Sequence, residues 1–194
     1  MAIVGDSERV TICGLDELHR HGSAGITHVL SILDPGHPDP ADFDDYGPHR
    51  RLTLRFHDII EPSPGHVPPD PAHIEQLLEF GRDLGGTDEQ LSRHLLVHCH
   101  LGVSRSTAAV ATIIAQHHKG AETEVFERLL RIRRRAWPNS RMIAIADDLL
   151  GRSGRLVAAL RELYRHQIAN RPEIADAIRS IGRQREIDMA ELSG

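Results

Sequence analysis

An α/β fold, built on a central and mostly parallel sheet flanked by helices and carrying a C-terminal helical extension, is predicted by three observations. Short apolar runs alternate with helix-patterned stretches along residues 1–150, the order expected when strands are joined by helical crossovers. The apolar run Leu95, Leu96, Val97 leads through a glycine-containing turn straight into an amphipathic helix, a strand–loop–helix unit. Beyond Gly151 the texture becomes helical alone.

The elements follow in order. Residues 10–13 and 26–33 read as short strands, the second closed by the turn Asp34, Pro35, Gly36. Residues 34–49, rich in Asp, Pro, Gly and His, form a long polar connection, and 52–56 alternate as a third strand. The Pro-rich stretch 61–69 can be neither helix nor strand. A helix starts after Asp70 as N-cap, with Pro71 in its first position, and stops at Gly85 and Gly86. The central strand is 95–97, the helix behind it 106–118 with Gly120 as its stop. Helices follow over 122–134 and 140–150, the latter with Met142, Ile143, Ala146, Leu149 and Leu150 on one face. In the extension, Leu156, Val157, Leu160, Leu163 and Tyr164 form an apolar face after a capping Ser153. Pro172 restarts a second helix with Ile174, Ile178 and Ile181. The extension is expected to cover the back of the core; a dimer or partner surface is the alternative.

Composition bounds the function. The chain has 194 residues, 40% of them hydrophobic, enough for a substantial core. No apolar run approaches the length of about 18 residues that a membrane span needs, and the N-terminus carries no signal-peptide pattern. A net charge of −5 argues against nucleic acid as a partner. Cys13 and Cys99 are the only cysteines; a reactive thiol needs a reducing compartment, which points to the cytoplasm.

Residues 98–106 carry the chemistry. Cys99 ends the central strand, and Arg105 and Ser106 open the following helix after five intervening residues. Amide groups of such a loop converge into an anion nest, and the helix N-terminus adds positive potential. That field stabilises a thiolate, while the Arg105 fork can grip two oxygens of a tetrahedral oxyanion at once. Gly102 lets the backbone curl around the anion.

The segment His98, Cys99 … Arg105, Ser106 resembles the signature loop of the cysteine-dependent protein tyrosine phosphatases, in particular their dual-specificity branch. Residues 25–30 resemble that branch's second strand, and 52–58 the strand and loop that deliver its catalytic aspartate. Pro138 and Asn139, followed by the helix over 140–150, resemble its closing segment. The likeness spans roughly residues 8–150. It implies a cysteine phosphatase domain over 1–150 and a helical extension over 151–194, packed on or beside it.

The resemblance implies phosphomonoester hydrolysis through a cysteinyl phosphate. Cys99 is the nucleophile, Arg105 the phosphate clamp, and Asp58 the acid that protonates the leaving oxygen, with Glu61 as its rival. Ser106 donates to the Cys99 sulfur. His100, Leu101, Gly102, Val103, Ser104 and Arg105 cradle the phosphate, or a sulfate in its place, while His98 and Asn139 support the loop. No cofactor is required. A zinc site from His94, His98, His100 and Cys99 is disfavoured: alternation turns Cys99 away from its two flanking histidines, and Arg105 repels a cation. Arg131, Arg133, Arg134 and Arg135 read as a solvated helix face, or as an attractor for an anionic substrate. Cys13 reads as a core residue, with an oxidative pairing to Cys99 left open.

The expected substrate is a phosphorylated protein. The same chemistry on a phosphoinositide, an inositol phosphate or an RNA 5′-phosphate is the alternative, against which the absence of lysine from residues 100–104 counts. A catalytically silent phosphate-binding module is the reading from a different class. Oligomeric state is not encoded in any recognisable pattern.

Overall fold

The computed structural model describes residues 9–84 and 93–191. Its sheet has four strands: β1 (Arg9–Cys13), β2 (His28–Leu33), β3 (Arg50–Arg55) and β4 (His94–His98). They lie in the order β1-β4-β2-β3, and every neighbouring pair is parallel. The chain steps from β1 to β2 to β3, then reverses to insert β4 between β1 and β2. Right-handed crossovers on the outward and return steps must therefore cover opposite faces. They do: the 3₁₀ segments Leu15–Arg20 and Ala41–Asp45 bury Leu18 and Phe43 in a small cluster with Cys13, Val29 and Leu96. The return helix α1 (Pro71–Asp83) buries Ile74, Leu77 and Phe80 in the large core of the other face, with Ile32, Leu54 and Val97.

The order reversal at β4 is what makes a site. Crevices of parallel α/β sheets open at the carboxyl ends of the strands where the order reverses. Gly14, Asp34, Asp58 and Cys99 all follow strand ends there.

Helix α2 (Arg105–His117) runs behind β4, followed by α3 (Glu122–Ile132) and α4 (Ser140–Leu149). Asp70 caps α1 as predicted, accepting from the His73 amide at 3.0 Å. The predicted stop at Gly85 and Gly86 lies outside the described residues. Leu149 corrects the predicted apolar face of α4: it is exposed, while Met142, Ile143 and Ala146 are buried.

The extension forms three helices, α5 (Arg155–Asn170), α6 (Glu173–Ser180) and α7 (Gln184–Glu191), the last unforeseen. Leu156, Leu160, Tyr164, Ile178 and Ile187 belong to the same buried cluster as the sheet and α2. Tyr164 stacks on Trp137 with ring centroids 4.2 Å apart. Two local expectations fail here. Ser153 does not cap α5; the carboxylate of Asp147, reaching across from α4, accepts from the Gly154 amide at 2.6 Å and the Leu156 amide at 2.7 Å. Ile181 follows the end of α6 and is exposed rather than part of its apolar face.

Candidate active site

The loop between β4 and α2 is held open from outside. The carbonyl of His100 accepts from the Leu15 amide at 3.0 Å and that of Val103 from the Trp137 amide at 2.9 Å. Arg133 Nε donates to the Gly102 carbonyl at 3.0 Å, and Arg135 donates to that of Leu101 at 3.1 Å. The Ser104 carbonyl accepts from the Ala108 amide at 2.9 Å. A planar trans peptide points its N–H opposite its C=O. With these carbonyls drawn outward, the amides of Leu101, Gly102, Val103, Ser104 and Arg105 turn toward the loop's centre, the geometry of an anion nest. Gly102 is required on two counts. Its φ is +65°, and a Cβ there would lie 2.6 Å from the Cys13 carbonyl oxygen.

Arg133 and Arg135 thus have a different place from the one predicted. Helix α3 ends at Ile132, so they lie on the connection beyond it rather than on a solvated helix face. Arg133 also pairs with Glu17 at 2.7 Å, and that bond, ahead of smaller influences, holds the Glu17 carboxyl below its usual range.

Cys99 is buried, its Sγ 3.3 Å from the Ser106 hydroxyl. Ser106 lies inside α2 rather than capping it, so its hydroxyl is available to the sulfur. Arg105 is 3% exposed. Its Nη1 is anchored twice, donating to Asp34 Oδ1 at 2.5 Å and to the Phe56 carbonyl at 2.6 Å. Its Nε is buried with no hydrogen-bond partner among the described residues. An unmatched guanidinium N–H costs free energy unless a ligand takes it. One edge of the fork is fixed and the other is presented.

Asp58 follows β3 in a loop clamped at its base, where His57 and Val67 exchange bonds of 2.7 and 2.9 Å. Its Oδ1 accepts from Ser104 Oγ at 2.8 Å, Asn139 Nδ2 at 2.9 Å and Arg183 Nη1 at 3.3 Å. Asn139 meanwhile caps α4, accepting from the Met142 amide at 3.1 Å. One side chain therefore fixes both the helix start and the aspartate loop. Glu61 lies apart, exposed and 3.7 Å from Arg185.

The histidines divide by surroundings. His98 is buried, its Nε2 2.7 Å from the Ser31 hydroxyl on β2. Burial, with the Arg51 charge second, pushes it down to about 3, so it is neutral. His100 accepts from the Asp34 amide at 3.3 Å and packs on His37, and burial and then Arg105 lower its pKa. His94 bonds Thr11 at 2.8 Å. Among the described residues no group of three or more His, Cys, Asp or Glu converges as a metal would require. Leu101 is 71% exposed at the loop's tip.

Sequence reasoning missed Asp34, Glu17 and Arg183, and singled out Arg133 without its bond to the signature loop. Asp34 was readable as the first residue after a strand's carboxyl end, but the Pro35-Gly36 turn accounts for it equally well. The others needed the tertiary fold.

No protein-family model and no curated protein matches the sequence. Solved structures do. DUSP15 is 23% identical over 84% of this chain and 94% of that one, with a TM-score of 0.53. The Cydia pomonella PTP-2 phosphatase is 17% identical over 72% of this chain and 84% of that one, with a TM-score of 0.55. PTPMT1, solved in complex with PI(5)P, is 15% identical over 74% of this chain and 91% of that one, with a TM-score of 0.51. Sheet order, the loop after β4 and these likenesses agree: the chain has the fold of the cysteine-dependent protein tyrosine phosphatases, in the form found in their dual-specificity branch.

Proposed function

We propose that this protein hydrolyses phosphomonoesters through a cysteinyl phosphate, with phosphorylated protein as substrate. The observation that carries the reading is the Arg105 side chain, anchored by Nη1 and carrying a buried, unmatched Nε beside the loop that holds Cys99. The Cys99 thiolate attacks phosphorus as the bond to the leaving oxygen breaks, and Asp58 gives that oxygen its proton. Loop amides and the Arg105 fork balance charge on the equatorial oxygens. Water then attacks phosphorus and yields a proton to the Asp58 carboxylate. The sulfur–phosphorus bond breaks, and the Ser106 hydroxyl, 3.3 Å from Sγ, stabilises the departing thiolate.

The test is turnover of 4-nitrophenyl phosphate in excess chelator. Cys99→Ser is expected to lower it by about 10³-fold or more, while the amide nest still binds vanadate. Residual turnover above about a hundredth of wild type contradicts the covalent route. A panel of phosphotyrosine and phosphoserine peptides, a phosphoinositide and 5′-phosphorylated RNA tests the substrate class. Preference for the lipid or the RNA overturns the protein assignment and leaves the chemistry standing.

A further inference from the structure

We infer that Arg183, on the turn between α6 and α7, is a positioning residue for the Asp58 carboxyl group, so that the C-terminal helices complete the acid site. The inference rests on the phosphatase reading above.

The chain delivers Arg183 by a defined turn. Helix α6 ends with Gly182 in the left-handed region at φ +75°. The Gly182 amide bonds the Arg179 carbonyl at 3.0 Å, and the Arg183 amide bonds that of Ile178 at 3.2 Å. This is the paired closure of a glycine-terminated helix, which fixes the direction of the next residue. The Glu186 amide then bonds the Arg183 carbonyl at 3.0 Å, starting α7.

Arg183 is 2% exposed. Nη2 donates to Glu186 Oε1 at 2.7 Å, while Nη1 donates to Ser104 Oγ at 2.7 Å and reaches Asp58 Oδ1 at 3.3 Å. Burial works against its charge, but Glu186 and Asp58 more than offset that and raise its pKa above the usual arginine value. Glu186 is fully buried and also accepts from Trp137 Nε1 at 2.6 Å, the Ser140 amide at 2.9 Å and the Tyr164 hydroxyl at 3.0 Å. Glu186 thus has three neutral donors besides the arginine that supplies its countercharge, and packing alone could be met by an apolar side chain. What only the arginine supplies is a cationic donor touching the signature loop and the aspartate loop together.

Its effect falls on one oxygen. Ser104, Asn139 and Arg183 all converge on Oδ1, and no hydrogen bond among the described residues reaches Oδ2. A proton on Oδ1 would confront these donors, so the transferable proton belongs to Oδ2 and the carboxyl cannot flip freely about χ2. Arg183 thereby holds one oxygen for the frame and leaves the other for chemistry.

The test compares turnover of aryl phosphates with increasingly basic leaving groups in the full-length chain. Arg183→Met alone would strand the buried Glu186 charge, so it is combined with Glu186→Gln, which removes both charges together. A 2,4-dinitrophenyl ester should change by no more than about twofold, while a phenyl ester should lose about tenfold. Arg183→Lys, which keeps the charge and carries the test alone if the double variant does not fold, should lose less on the phenyl ester. In an Asp58→Asn background the same changes should add no leaving-group dependence. Equal losses on every ester, or further dependence without Asp58, overturn the proposal and leave the phosphatase reading intact. A wild-type protein that turns over none of the esters overturns both.

Discussion

Cys13 ends β1 and Cys99 directly follows the neighbouring parallel strand β4, at nearly the same depth: 1% and 2% exposed. Their surroundings differ completely. After Cys13 the chain enters a 3₁₀ turn with Asp16 and Glu17 in it, and the Gly14 amide is taken by Glu17 Oε2 at 2.7 Å. Burial first, and then Glu17, push the Cys13 thiol up to about 12. After Cys99 the chain turns its amides inward, places Arg105 at a helix start and sets a hydroxyl beside the sulfur. At equal depth, what separates the two cysteines is the segment that follows each: an acidic turn after Cys13, an amide loop with an arginine after Cys99. The two segments also support each other: Arg133 pairs with Glu17 and bonds the Gly102 carbonyl, and Gly102 packs against the Cys13 carbonyl.

The largest way to break the contrast is to blunt the charge on the Cys99 side. Arg105→Lys should cut kcat/KM by about 10²–10³-fold, because an ammonium cannot keep Asp34, the Phe56 carbonyl and a phosphate together. Near-normal rates would remove Arg105 from the site. Asp58→Asn should cost about 10²-fold or more on a phenyl ester and little on an acidic phenol. If Glu61→Gln gives that pattern instead, the acid lies three residues downstream.

Smaller effects sharpen it. His98 stands opposite Cys13 in the strand register. Its folded pKa, pushed down to about 3 by burial and then Arg51, lies below its ordinary 6.5. A neutral buried ring contributes stability that is complete above about 6.5 and is lost as pH falls toward 3, on the order of 5 kcal/mol at most. The melting temperature should therefore drop between pH 6.5 and 4, less steeply in His98→Gln; an unchanged slope would assign the loss to other groups. Cys13→Ala should be the mildest change, with kcat within about twofold of wild type despite a cavity cost of about 1 kcal/mol. A loss comparable to that of Cys99→Ser would end the distinction between the two thiols.

What was legible in the sequence was what is local in the chain. Strand β4, the loop and α2 are contiguous, so Cys99, Arg105 and Ser106 could be read together. Asp70 with Pro71 marked α1 because capping is a matter of adjacent residues. The rest depends on residues far apart. Asp147 replaces Ser153 as the cap of α5 because α4 brings a carboxylate to the spot, and Ser153 itself sits at φ +54°. Arg133 looked like helix surface because nothing local ends α3 at Ile132. Arg183 and Glu186 resemble an ordinary exposed ion pair on a helix until the fold buries both.

On the proposed mechanism the phosphoryl group is carried on Cys99 and never on Cys13. Rapid acid quench during turnover of a phosphotyrosine peptide, followed by digestion and mass spectrometry, examines it directly. A phosphoryl adduct is expected on the peptide containing Cys99, absent from Cys99→Ser and unaffected by Cys13→Ala. An adduct on any other residue, or full turnover with no phosphorylated cysteine, would contradict it.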